Sequence, residues 1–62
     1  MIFSDKDVAK WEIECWSRYR NESSLAGLRF ILPRIIKNQH GLHHDEHVQL
    51  AKQELSALPK VD

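Results

Sequence analysis

All four histidines of the chain fall between positions 40 and 47, and histidine is a common ligand for transition metals. If the third helix already includes His43, then His43 and His47 lie one turn apart and could hold a metal ion together. The string has no second ligand pair and lacks the H-E-x-x-H order of zinc proteases. We therefore expect solvated or capping histidines here and no bound cofactor, with a pH response of neighbouring imidazoles as a further hypothesis.

One carboxylate, Glu12, falls inside the apolar face of the first predicted helix. A carboxyl group in apolar surroundings is the kind of group that serves as a general acid. The sequence offers no second acid or base at matching spacing, and it has no glycine-rich phosphate loop, G-x-S-x-G or C-x-x-C motif. We therefore expect Glu12 to pair with Arg20, Arg29 or Arg34 or to reach solvent at a subunit interface, and we predict that the protein is not an enzyme.

Positive charge is concentrated in the middle of the chain, between positions 18 and 37. A basic segment next to aromatic residues is typical of nucleic-acid binding with base stacking. Arginines that pair across helices with Glu12, Glu14, Asp45 or Glu46 would give the same pattern, and we favour that interpretation. The basic residues are Arg18, Arg20, Arg29, Arg34 and Lys37, against Glu22 alone.

The apolar residues of the first predicted helix spread over roughly 200° of its circumference, about twice the arc that a surface helix needs. Two neighbouring helices within one small chain would not cover such a face. We therefore predict that part of it, chiefly the Trp16 and Ile13 edge, meets a second copy or another protein, most simply as a twofold homodimer. The predicted interface residues are Trp11, Ile13, Cys15, Trp16 and Tyr19.

Three helices are needed to position these residues, and the first has the clearest start signal. Ser4 and Asp7 have the spacing of a capping box, and a helical pattern runs from Asp5 to about Arg20. Asp45 and its acidic neighbour then open a third helix that closes before Pro59. Its apolar positions follow a helical spacing, at Val48, Ala51, Leu55 and Leu58.

The second predicted helix carries an apolar stripe but also two residues that disfavour helix. Gly27 lowers helix propensity, and Pro33 removes a backbone donor, which predicts a kink or a break near Pro33. Gly41 is predicted to end this segment. The stripe consists of Leu25, Leu28, Leu32 and Ile35, flanked by Ile31 and Ile36.

Length and composition bound the function. Sixty-two residues with 42% hydrophobic content predict one small helical domain over 1–62, whose thin core needs a partner or a metal for support. The formal charge of zero excludes a surface devoted wholly to nucleic acid or anionic membrane. With the lone Cys15 and no signal-like or membrane-spanning stretch, we expect a cytoplasmic location and no membrane partner.

These observations predict an all-α, three-helix domain that packs as a homodimeric bundle. We expect it to be a small non-enzymatic regulator or adaptor that binds a larger protein through the aromatic side of helix 1, as small bacterial or phage proteins do. The alternative is a nucleic-acid-binding regulator that uses the basic segment 18–37.

Overall fold

The computed structural model describes residues 2–59, and over that range it is all-helical, as predicted. Helix α1 spans Asp5–Asn21, α2 spans Leu25–Lys37 and α3 spans Asp45–Ala57. Helix α2 packs against both of the others, so its apolar stripe forms the centre of the molecule. Helices α1 and α3 contact each other through side chains, because Trp16 and Arg20 of α1 reach Glu54 of α3.

The first helix begins at the predicted capping box. The backbone amide of Asp7 donates to Ser4 Oγ at 3.2 Å, and the backbone amide of Ser4 donates to Asp7 Oδ2 at 3.0 Å. Two of the unpaired amides at the helix start are thereby satisfied. A second serine, Ser24, caps α2 by accepting from the amide of Gly27 at 3.2 Å.

Strong acid is expected to weaken the start of α1 through Asp7. The hydrogen bonds from the backbone and side chain of Ser4 hold the pKa of Asp7 below its ordinary value of 3.8. A carboxylate with a lowered pKa stabilises the folded state above its unfolded pKa, and this contribution is lost as the pH falls through the folded pKa. In urea titrations, the stability advantage of the native chain over Asp7→Asn should be constant above about pH 5 and should shrink below it. An advantage that stays constant down to pH 2 would contradict this assignment.

The core is built on α2. Ile31, Leu32 and Ile35 are fully buried and Leu28 is nearly so, which confirms most of the predicted stripe. Leu25, also predicted, is 41% exposed because it lies in the first turn at the edge of the bundle. Burial of these branched side chains is the main source of stability in a domain of this size.

Helix α2 continues through Pro33 as one helix, so the predicted break does not occur, whereas a kink there stays a prediction. The predicted end at Gly41 is also wrong. The helix stops at Lys37 because Asn38 adopts the left-handed conformation, with φ of 46° and ψ of 52°. Asparagine tolerates this conformation at a helix C-terminus, as glycine does. Gly41 instead takes its positive φ of 68° within the following loop.

Gly27 allows α1 and α2 to approach closely. A Cβ atom at Gly27 would lie 2.4 Å from Cδ1 of the Tyr19 ring and 2.5 Å from its Cγ. The ring of Tyr19 therefore packs directly on the α2 backbone, where only glycine leaves enough space. Gly27 has a low helix propensity, but the packing between α1 and α2 requires it.

A polar contact joins α1 to α3. The indole Nε1 of Trp16 donates to Glu54 Oε1 at 2.8 Å, and Arg20 pairs with the other oxygen of the same carboxylate. The Arg20 guanidinium also lies 4.8 Å from the centre of the Trp16 ring. Glu54 thus satisfies the one polar atom of a tryptophan that is otherwise buried in the core.

Replacing Glu54 by alanine should destabilise the fold by about 1–2 kcal/mol, because the buried Trp16 indole N–H then has no acceptor. Glu54→Gln keeps an oxygen for the indole and removes only the charge facing the exposed Arg20, so its cost should stay under about 1 kcal/mol. Urea denaturation followed by Trp fluorescence measures both values. Equal losses for the two variants would show that the ion pair, and not the indole hydrogen bond, carries the stability.

Candidate functional site

Two aromatic side chains lie exposed beside each other where α1 meets α2. Trp11 is 43% exposed and Phe30 is 49% exposed, and their rings meet edge to face with centres 6.4 Å apart. The Arg34 guanidinium lies 5.7 Å from the Trp11 ring centre and 5.5 Å from the Phe30 ring centre. We call this surface, together with the exposed Ile2 and Phe3, the aromatic face.

A groove of about 700 Å³ runs along the aromatic face. Its apolar lining comes from α1 and from the residues that precede this helix. Charged side chains of both signs also line the groove. The apolar residues are Ile2, Phe3, Val8 and Trp11, and the charged residues are Asp7, Lys10, Glu14 and Arg34.

The structure distributes the five predicted interface residues over different environments. Cys15 and Trp16 lie in the core of the single chain, Ile13 and Tyr19 are half-buried against it, and only Trp11 is exposed. Of these five residues, Trp11 therefore has the most exposed side chain in the single chain, and their role as an interface stays a prediction. Phe30 was not among the predicted interface residues, although its position off the α2 stripe indicated an exposed side chain.

Glu12 belongs to a buried polar cluster. His43 Nε2 donates to Glu12 Oε1 at 2.8 Å, and Arg34 Nε donates to Glu12 Oε2 at 3.1 Å. Arg34 was one of the three cations predicted to pair with Glu12, and His43 was not expected. Both carboxylate oxygens have partners, so the cluster ties α1, α2 and the loop before α3 together.

Further polar contacts fix the loop between α2 and α3, both within the loop and to α1. The Asn38 side chain accepts from the His43 amide at 3.0 Å and donates to the His43 carbonyl at 3.4 Å. Nearer the start of α1, His40 Nε2 lies 3.4 Å from an Asp5 carboxylate oxygen. A cleft of about 350 Å³ lies between this loop and α1. Its walls include the His40–Asp5 pair and the His43–Glu12 pair.

The candidate metal pair His43 and His47 is not brought together on a helix. His43 lies in the loop, because α3 begins only at Asp45, and its ring contacts Glu12. His47 instead packs edge to face with His44, at 5.6 Å between ring centres, and with Trp16 at 6.1 Å. Within residues 2–59, no group of three or more potential ligands could hold a metal ion.

Three of the five cations in the basic segment have acceptors within the chain. Arg20 pairs with Glu54, Arg34 pairs with Glu12, and Arg29 donates to the carbonyl of Pro59. Arg18 and Lys37 point to solvent. The preferred prediction of cross-helix pairing is thus confirmed for Arg20 and Arg34, although the partner of Arg20 was not among the acids expected.

None of the described helices is both long enough and apolar enough to cross a membrane. Comparison with known proteins returned no protein family model, no curated protein and no solved structure that matches the chain.

Proposed function

We propose that this protein is a small non-enzymatic regulator or adaptor that acts by protein–protein interaction through the aromatic face. The observation that carries the proposal is the exposed Trp11 and Phe30 pair, held in place by Arg34. Large exposed aromatic side chains cost solvation free energy in the free protein, and this cost is recovered when a partner covers them. Tryptophan and arginine are also the residue types most enriched where binding energy is concentrated.

The order of this surface supports the proposal. Arg34 is fixed at one end by the buried Glu12, and its guanidinium lies against both exposed rings. A surface that is already ordered loses little side-chain entropy when it binds. We propose that its partners are a second copy of the chain and a larger protein, in the cytoplasm, where the single buried Cys15 stays reduced.

Capture from an extract of the source cells tests this function when it is compared across variants. Native protein, Trp11→Ala and Leu50→Ala are immobilised at equal density, and bound proteins are quantified by mass spectrometry. Leu50 is the matched control because it is 40% exposed but lies on α3, away from the aromatic face. We expect at least one protein to bind native and Leu50→Ala equally and to fall at least about tenfold with Trp11→Ala. If every captured protein bound Trp11→Ala as well as it binds the native protein, the proposal would be overturned.

Nucleic-acid binding is the second candidate function, and one observation favours it. The Arg34 guanidinium beside two exposed aromatic rings resembles the stacking and cation–π surfaces that bind single strands. The intrachain acceptors of Arg20, Arg29 and Arg34 argue against it, because engaged cations neutralise fewer phosphates.

We therefore expect only weak binding of single-stranded DNA, lost by about 150 mM salt, in a gel-shift or fluorescence-anisotropy salt series. The slope of log affinity against log salt should be small for the native chain and nearly unchanged in Arg18→Gln. Tight binding that persists at this salt concentration, with a steep slope, would make nucleic acid the principal partner.

A further inference from the structure

Helix α1 carries opposite charges at its two ends. Asp5 and Asp7 lie in its first turn, and Arg18 and Arg20 lie in its last turn. When two such helices lie side by side in opposite directions, the acidic end of each meets the basic end of the other. A twofold axis perpendicular to α1 produces this arrangement from two identical chains.

One exposed stripe of α1 connects these ends. Asp7, Trp11, Glu14 and Arg18 follow one another at steps of four, three and four residues, which places them on one side of the helix. All four residues are exposed. Trp11 makes the stripe continuous with the aromatic face. Within residues 2–59 Arg18 has no ion-pair partner, whereas Arg20 is held by Glu54.

We propose that the aromatic face is occupied by the same face of a second copy, with the two α1 helices antiparallel. In this arrangement Asp7 of each copy lies opposite Arg18 of the other, and Trp11 lies opposite Glu14. The inference rests on the proposed function, namely that the aromatic face binds protein, and it names the occupant and the pairing.

Charge complementarity favours a second copy in this orientation. The formal net charge of zero means that two copies do not repel each other as whole molecules. Parallel α1 helices would set Asp7 against Asp7 and Arg18 against Arg18, so electrostatics select the antiparallel pair. The pairs of Asp7 with Arg18 would then lie at the two ends of the contact, and Trp11 and Phe30 of both copies would lie between them.

The test is a charge exchange followed by sedimentation equilibrium at low salt. Arg18→Glu alone places like charges opposite each other, Asp7 against Glu, at both ends of the dimer. Asp7→Arg alone does the same with two arginines. We expect each variant to raise the dimer Kd at least about tenfold over that of the native chain. An equimolar mixture of the two variants should associate with near-native affinity, because every facing pair is then opposite in charge.

Two controls separate charge from folding. Asp7→Arg also removes the capping box, so circular dichroism and urea denaturation must show that this variant is folded at the temperature used. The recovery in the mixture uses the same two chains that fail alone, so it cannot arise from a difference in folding. Lys52→Glu, an exposed change of the same size and sign as Arg18→Glu but on α3, should leave the Kd within about twofold.

The remaining outcomes distinguish this inference from the proposed function. If Trp11→Ala dissociates the dimer but the charge variants do not, the antiparallel pairing is overturned and the aromatic face remains the interface. A native chain that stays monomeric up to millimolar concentration overturns the second copy as occupant. In that case the proposed function is still tested by the capture experiment, which asks whether another protein binds the native chain but not Trp11→Ala.

Discussion

Gly27→Val is expected to remove much of the stability of the fold at room temperature. The Cβ atom would fall 2.4 Å from Cδ1 of Tyr19, close to the base of the ring, where rotation of the side chain gives little relief. Forcing extra carbon atoms into a packed contact costs about 1–3 kcal/mol or more, and a small domain has only roughly 3–5 kcal/mol in total. Thermal and urea denaturation of purified protein measure the loss.

Ala26→Val is the matched control, because it makes a similar change at the neighbouring exposed position of α2. It should cost only the helix propensity of valine, under about 1 kcal/mol. Adding Tyr19→Ala to Gly27→Val should recover part of the lost stability, since the clash is with that ring. If Gly27→Val were no worse than Ala26→Val, the close approach of the two helices would be wrong.

Glu12→Ala should destabilise the fold by about 2 kcal/mol and loosen the loop before α3. The substitution leaves Nε2 of the buried His43 without its acceptor, which costs about 1–3 kcal/mol. The lost pairing with Arg34 adds little, because that side chain is 46% exposed. The expected structural sign is faster hydrogen exchange at the His43 amide, which donates to Asn38 in the folded loop.

Glu12→Gln is the informative comparison for that prediction. Its amide oxygen can still accept from His43, so its loss of stability should be smaller than that of Glu12→Ala. In both variants, the backbone amides in the middle of α2, around Ile31, should still exchange only through global unfolding. A stable Glu12→Ala with unchanged exchange at His43 would show that the polar cluster does not hold the loop.

The helices were predictable from local signals, and their ends were less so. The capping box at Ser4 and Asp7 and the acidic start at Asp45 depend on neighbouring residues only, so both positions were correct. The end of α2 depended on Asn38, a weaker signal than Gly41, which supplies a positive φ three residues later.

The candidate site was predictable only in part, because its contacts join residues far apart in sequence. The pattern marked Glu12 as an acid on an apolar face and listed Arg34 among its partners. It could not show that the His43 side chain would bond to Glu12, 31 positions earlier in the chain, and not to a neighbouring histidine. It also could not reveal that Trp16 is covered by the chain itself while Trp11 is not, since Trp16 is contacted by Glu54 and His47 of the distant helix α3.

Arg34 has a consequence for how this sequence can change during evolution. Its Nε atom bonds to Glu12, while its planar guanidinium lies against Trp11 and Phe30. Lysine has a single point charge and no planar group, so it cannot serve both contacts at once. Substitution at position 34 would therefore be tolerated only together with changes at position 12 and at one of the two rings. Homologous chains should show these positions varying as a set.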